Sequence, residues 1–191
     1  MTLQATKRWN RMTQLPAARQ AGVSLVVVLL FLVILTLVGV SSSLLSTSGE
    51  RMARNSRDQN IALQAAEAAL RDARIDITTT RGIAGATGAT ATCDYTGFKG
   101  FCTPATAGQP VWNLYIEDDN RSVTLGAITK TQGVNPVAGV AKQPHYLIEP
   151  IPDSSPGSMK AGPINYVYRI SAIGYGANAN TKVLIQEIFR P

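Results

Sequence analysis

The chain is predicted to be α+β: one long N-terminal helix followed by an antiparallel sheet. Three observations carry this expectation. An uncharged apolar run lies near the N-terminus, an alanine-rich stripe at helical spacing follows it, and the last third reads as β-strands with a short polar loop between the final two.

The apolar run comes first. Residues 23–40 comprise 18 positions, of which 15 are Val, Leu, Ile or Phe and the others are Ser24, Thr36 and Gly39. As a helix, a run of this length crosses the hydrocarbon core of a bilayer. At roughly −0.3 to −0.6 kcal/mol per large apolar residue near the membrane centre, the 15 contribute at most about −5 to −9 kcal/mol towards insertion. A secretory signal has an apolar stretch of about 7 to 15 residues before small residues in an A-x-A arrangement. This run is longer and ends in Ser41-Ser42-Ser43-Leu44. Lys7, Arg8, Arg11 and Arg19 precede it, and no further charge occurs before Glu50. The positive-inside rule then predicts a single-pass membrane protein with a cytoplasmic N-terminus and its body on the far side.

The same four charges explain most of the basicity. The formal net charge is +6, and without residues 1–22 it is +2, which removes the electrostatic support for general nucleic-acid binding. Binding of single strands calls for aromatics interleaved with basic residues. The best candidate, Tyr95-Thr96-Gly97-Phe98-Lys99-Gly100-Phe101, has one lysine among three aromatics. No specific nucleic-acid partner is predicted.

Residues 50–77 continue the helix in amphipathic form. Ala62, Ala66, Leu70, Ala73 and Ile77 fall on one face. Alanine loses no side-chain entropy there and permits close backbone approach. Glu50/Arg54, Arg54/Asp58 and Glu67/Arg71 are spaced as i,i+4 ion pairs. Gly39 and the serines at 41–43 are places where the helix is expected to loosen, and Thr78-Thr79-Thr80-Arg81-Gly82 ends it.

Residues 82–109 read as an irregular loop. Its Gly85-Ala86-Thr87-Gly88-Ala89-Thr90 tandem lacks the Lys-Ser/Thr and preceding strand of a phosphate-binding loop. Cys93 and Cys102 are separated by eight residues, two of them glycines. In an oxidising compartment this reads as a disulfide, stabilising by roughly 2.5 to 3 kcal/mol on the chain-entropy account. A zinc site of both cysteines and His145, the lone histidine, is the alternative. Strands are expected at residues 111–116, 146–151, 166–174 and 182–189, with residues 176–180 as the hairpin loop between the last two. The sheet is expected to pack on the amphipathic half-helix.

Candidate chemistry is sparse. His145 has Glu149 four residues on, but no nucleophile is assignable to it, and its place at a strand start reads as a surface or capping position. Glu117-Asp118-Asp119-Asn120 offers oxygens without the spacing of a calcium loop and reads as a solvated turn. No enzymatic activity, cofactor or metal is predicted.

Two segments carry a family resemblance. The junction Gly22/Val23-Ser24-Leu25-Val26 resembles a class III signal, the type IV prepilin cleavage site. The stretch from Glu50 to Asp58, together with Gln64-Ala65-Ala66-Glu67-Ala68-Ala69-Leu70-Arg71, is similar to the N-terminal region of PilX-type minor pilins. The resemblance implies a ladle-like pilin fold with a long N-terminal helix, a variable loop and an antiparallel sheet. It also implies cleavage after Gly22 by a prepilin peptidase and methylation of Val23, and it makes the membrane the inner membrane and the far side the periplasm. The divisions expected are a leader at 1–22, a membrane and assembly half-helix at 23–49, an amphipathic half-helix at 50–77 and a β-rich periplasmic domain at 78–191. Met12 is an alternative start that leaves the same mature chain.

The implied role is structural: a minor pilin in the priming or tip complex of a type IV pilus, with adhesion and twitching motility as associated roles. The implied partners are the major pilin, other minor pilins, the prepilin peptidase, the inner-membrane assembly platform and membrane lipid. One departure stands out. Most pilins carry glutamate as the fifth mature residue, where its carboxylate is thought to pair with the neighbouring subunit's amine, and this chain has Val27. Drift in a tolerant subunit and a tip position with no neighbour ahead are the two explanations. Alternatives to the pilus role are a K-like tip pseudopilin of type II secretion and a surface binding module that displays the 93–102 loop.

Overall fold

The computed structural model describes residues 23–153 and 164–191, so the leader expected at 1–22, Gly22 included, lies outside the described residues. The chain divides after Gly49 into two compact units. In the first, residues 23–49 are helical and exposed throughout. They belong to α1, which runs from Val23–Ile75. Gly39 and the serines do not interrupt it, contrary to expectation. Hydroxyl groups bond back onto the preceding turn, Thr36 Oγ1 to the Val33 carbonyl at 2.8 Å and Ser41 Oγ to that of Leu37 at 2.8 Å. Their polarity is thereby satisfied inside the helix.

In the second unit α1 widens into a π-helical turn, Asp76–Thr80, and Gly82 takes a positive φ of 57° just after it. A four-stranded antiparallel sheet follows, in the order β1-β2-β3-β4. Its strands are β1 Val123–Thr124, β2 His145–Pro152, β3 Tyr166–Tyr175 and β4 Lys182–Phe189. The α+β expectation holds, and β2, β3 and β4 fall where alternation placed them. β1, two residues long, had no pattern to reveal it.

Residues 111–116 are not a strand. Val111–Tyr115 forms a short helix, α2, entered from Pro110. The apolar positions Val111 and Ile116 are buried while Asn113 and Leu114 face solvent, a helical rather than alternating distribution. Short apolar runs do not distinguish the two states, and Pro110, extended at the N-cap, lies outside the helix where its missing N–H costs no helical bond.

Around β2 and β3 the sheet is covered on both faces. On one, Ala69, Leu70, Ala73 and Ile77 of α1 pack with Tyr146, Ile148, Tyr168, Ile170 and Ala172. On the other, Leu147, Ile173 and Tyr175 pack with Cys93, Cys102, Val111 and Ile116. This alternation along β2 and β3 is the period-two pattern of a sheet sandwiched between two layers.

Candidate assembly helix and its anchoring site

The helix has two different surfaces. Along residues 23–40 every large apolar side chain is exposed, Val23 at 68% and Val27 at 45%. Within residues 50–77 all five stripe residues are buried, Ala62, Ala66 and Ala73 completely. Ala65 and Ala69, equally buried, widen the stripe.

The stripe is narrow so that β3 can approach it. A Cβ built on Gly174 would fall onto the Ala62 carbonyl oxygen and the Ala66 nitrogen. Neither contact can yield, because both partners are backbone. Close to Gly174, Asp58 accepts hydrogen bonds from the Ala177 and Asn178 N–H groups at 2.6 and 3.3 Å. Together with the Thr181 side chain, these donors hold its carboxyl below the usual range. Asp58 therefore serves the hairpin loop and not Arg54, as the i,i+4 spacing predicted. Arg54 pairs with Glu50 at 2.6 Å, and Arg71 approaches Glu67 at 4.0 Å.

Two further acids, Asp72 of α1 and Asp76 at the start of the π-helical turn, are buried on the stripe side of the helix. Asp76 accepts a two-pronged ion pair from Arg81 and a hydrogen bond from the Tyr146 hydroxyl at 2.9 Å. Burial and the nearby carboxylates push the Tyr146 hydroxyl well above its ordinary pKa. Asp72 instead accepts from neutral donors, the Gly126 N–H at 2.7 Å and the Thr129 hydroxyl. Burial raises its pKa, with these two donors opposing. Four elements are thus tied to α1 by carboxylates: the β3–β4 loop, β2, the turn after β1, and the helix's own end. Sequence reading passed over Asp72 and Asp76, although their signal was present. Ala65, Ala69, Asp72 and Asp76 follow the i, i+4, i+7, i+11 spacing of a buried face, and an acid there needs a partner.

Cys93 and Cys102 form a disulfide, and both are fully buried. The loop they close is fastened down. Cys102 N–H donates to the Ile148 carbonyl and Ile148 N–H to that of Gly100, each at 2.8 Å, and Phe101 lies in the core. Of the interleaved aromatics only Tyr95 is largely exposed, at 52%, and Lys99 donates to the Asp119 carbonyl.

His145 opens β2 as expected but is buried, at 2% exposure, and is not a surface position. Its Nδ1 lies 3.0 Å from Ser122 Oγ and its Nε2 3.4 Å from an Asp119 oxygen. This trio has the residue types of a hydrolytic triad without its access. Ser122 is fully buried and donates to the Asp118 carbonyl at 2.8 Å. Burial, with Lys142 adding to it, lowers the His145 pKa to about 4, so the ring is neutral at pH 7. Glu149 is not its partner, since both carboxylate oxygens face Arg169 at 2.8 and 2.9 Å. In the 117–120 turn, Glu117 pairs with Lys182 at 2.7 Å, Asp118 with Arg121 at 3.4 Å and Asp119 with Lys142 at 2.9 Å. Among the described residues no cluster of three or more His, Cys, Asp or Glu could hold a metal.

An exposed apolar helix long enough to cross a membrane, continued by a half whose small residues are clamped on an antiparallel sheet, defines the pilin-like class of membrane-anchored assembly subunit. Family comparison agrees and is narrower. Residues 21–71 match PilX N-terminal, and residues 98–191 match Type IV pilus assembly protein PilX C-term. The chain belongs to the PilX family of type IV pilus assembly proteins, a structural family whose members work with other pilus components. Comparison with curated proteins and with solved structures gives no match.

Proposed function

We propose that this chain is a minor pilin, processed between Gly22 and Val23 by the prepilin peptidase and incorporated in the priming or tip complex of a type IV pilus. The N-terminus is cytoplasmic before processing and the sheet domain periplasmic. Assembly is side-by-side packing of residues 23–40 with the same segment of the major pilin and other minor pilins, on the inner-membrane platform. The observation that carries this reading is the exposure of every apolar residue from 23 to 40 in a PilX-family chain. Such a surface has to be covered by lipid or by other helices.

Val27 supports the tip position. It presents no carboxylate to a neighbouring amine, and a subunit with nothing ahead of it has no use for one. A glutamate there would also cost up to about 2.5 to 3.5 kcal/mol in the membrane. Mass spectrometry of the mature N-terminus tests the class: N-methyl-Val23 is expected, and an unprocessed chain or a cut near Ser43 would overturn it. Val27→Glu tests the position. Pilus number should stay level or fall, and a clear rise sinks the tip assignment.

Anchoring of the 93–102 loop on β2 favours a structural role for the disulfide over a binding role. Tyr95→Ala separates the two, because Tyr95 is the loop's exposed aromatic. Adhesion lost with normal piliation would favour the binding module. The pilus family match favours a pilus over a type II secretion pseudopilus.

A further inference from the structure

The two edges of the sheet are treated differently. The β2 edge carries β1, and beyond it the 100–102 segment, whose backbone bonds to Ile148 in both directions. Pro150 removes one more donor from β2. Nothing among the described residues lies along the outer edge of β4.

The register says which groups are free there. Gly176 N–H donates to the Thr181 carbonyl at 2.9 Å, so 176/181 is a hydrogen-bonded pair, and such pairs alternate along an antiparallel ladder. The pairs Gly174/Val183, Ala172/Ile185, Ile170/Glu187 and Tyr168/Phe189 then face each other across β3 and β4. The N–H and C=O groups of Lys182, Leu184, Gln186 and Ile188 point the other way, and none of them bonds to another described backbone group. An exposed row of this kind is a template for another strand, which proteins ordinarily block with charge, proline or a bulge. Here the central stretch is unblocked.

Charge specifies the occupant. Lys182 is paired with Glu117, Glu187 with Arg74 at 2.5 Å and Arg190 with Asp153 at 3.3 Å. Gln186 Nε2 donates to Ser171 Oγ at 2.8 Å. The charged side chains of this edge are therefore neutralised within the chain. What remains is free backbone and two apolar side chains on one face, Leu184 at 39% and Ile188 at 59% exposure. The complement is an extended, uncharged, apolar segment. A second copy does not supply it: its β2 edge is covered, and joining two β4 edges requires a two-fold axis. That axis either reverses α1 or moves it to the opposite face, whereas subunits of one filament keep α1 parallel.

We infer that the outer edge of β4 receives an extended, uncharged strand from a different pilus subunit, which joins the sheet as a fifth strand. This rests on the pilus role proposed above. The mode is β-strand addition, in which main-chain bonds supply affinity and alternate side chains supply specificity.

The test uses the full chain in piliated cells, with two edge variants. Leu184→Pro removes an outward N–H and spares the ladder to β3, while Ile188→Lys places a charge on an exposed position. Processing at Val23 and membrane abundance should be unchanged for both, and the amount in sheared pili should fall at least about ten-fold, equivalent to about 1.4 kcal/mol of lost association. A photo-crosslinker at Ile188 should join an uncharged extended segment of another pilin, located by mass spectrometry of the linked peptide. Should Leu184→Pro fail to accumulate, Ile188→Lys and the crosslink decide. Both accumulating variants entering pili like the unmodified chain, or a crosslink to a second copy, would overturn strand addition alone. Absence of the unmodified chain from pili would overturn the pilus role, and this inference with it.

Discussion

Gly174 of β3 lies so close to Ala66 of α1 that a Cβ on the glycine would sit 3.0 Å from the Ala66 Cα and nearer still to its nitrogen. The distance between helix and sheet in this protein is set by those two backbones. Neither residue can be enlarged without separating the layers.

Gly174→Ala is therefore expected to destabilise the domain by about 3 kcal/mol, the upper part of the usual range for overpacking. Gly49→Ala is the control, since nothing lies within 4 Å of a Cβ there. In an exposed helical position it should be neutral or stabilise by up to about 1 kcal/mol. Thermal unfolding of the full chain in detergent, followed by near-UV circular dichroism, measures both.

Asp72 provides a test of how a buried acid is held. Asp72→Asn keeps an acceptor for the Gly126 N–H and removes a charge whose burial is unfavourable, so at pH 7 it should change stability by less than about 1 kcal/mol. Asp72→Ala strands the Gly126 N–H and the Thr129 hydroxyl inside the protein and should cost about 2 to 4 kcal/mol. Equal losses in the two variants would show that the charge itself matters.

Glu149 and Arg169 sit directly opposite each other on β2 and β3, with Glu149 fully buried. Arg169→Leu leaves that carboxylate without its cation and is expected to cost about 3 to 5 kcal/mol. The double variant Glu149→Leu/Arg169→Leu should recover most of the loss, because a buried ion pair contributes little beyond an apolar pair of similar volume. Chemical denaturation of the single and double variants checks this, and a double variant no better than the single would count against it.

His145 makes stability depend on pH. Its folded pKa is lowered from 6.5 to about 4 by burial and by Lys142, with Lys99 adding to this and Asp119 and Glu117 opposing. Ser122 and the Tyr175 ring complete its surroundings. The unfolded chain therefore binds the proton more tightly than the folded one. This contribution is complete above pH 6.5 and is lost as pH falls towards 4. Asp72, with a raised pKa, acts in the opposite sense around its own titration, so the comparison is between the unmodified chain and His145→Asn. The variant's melting temperature should vary less between pH 6.5 and 4, and identical profiles would refute the assignment.

What was legible in the sequence is what local pattern can encode. The apolar run, the alanine stripe at 62, 66, 70, 73 and 77, and the alternation of the last three strands each repeat within a few residues and decide which surface meets which medium. Those periods alone specify a membrane-type helix continued by an amphipathic half, with a sheet to cover it. Residues 111–116 show the limit: a short apolar run after Pro110 satisfies either state, and only its packing beneath Cys93, Ile173 and Tyr175 made it helical. The burial of His145, the partners of Asp58, Asp72 and Asp76, and the bare edge of β4 depend on residues dozens of positions apart. The free energy of such contacts arises only when the layers close, so tertiary structure decided them. Gly174 belongs to both accounts. Its identity is written in the chain, but its reason is Ala62 and Ala66, more than a hundred residues away.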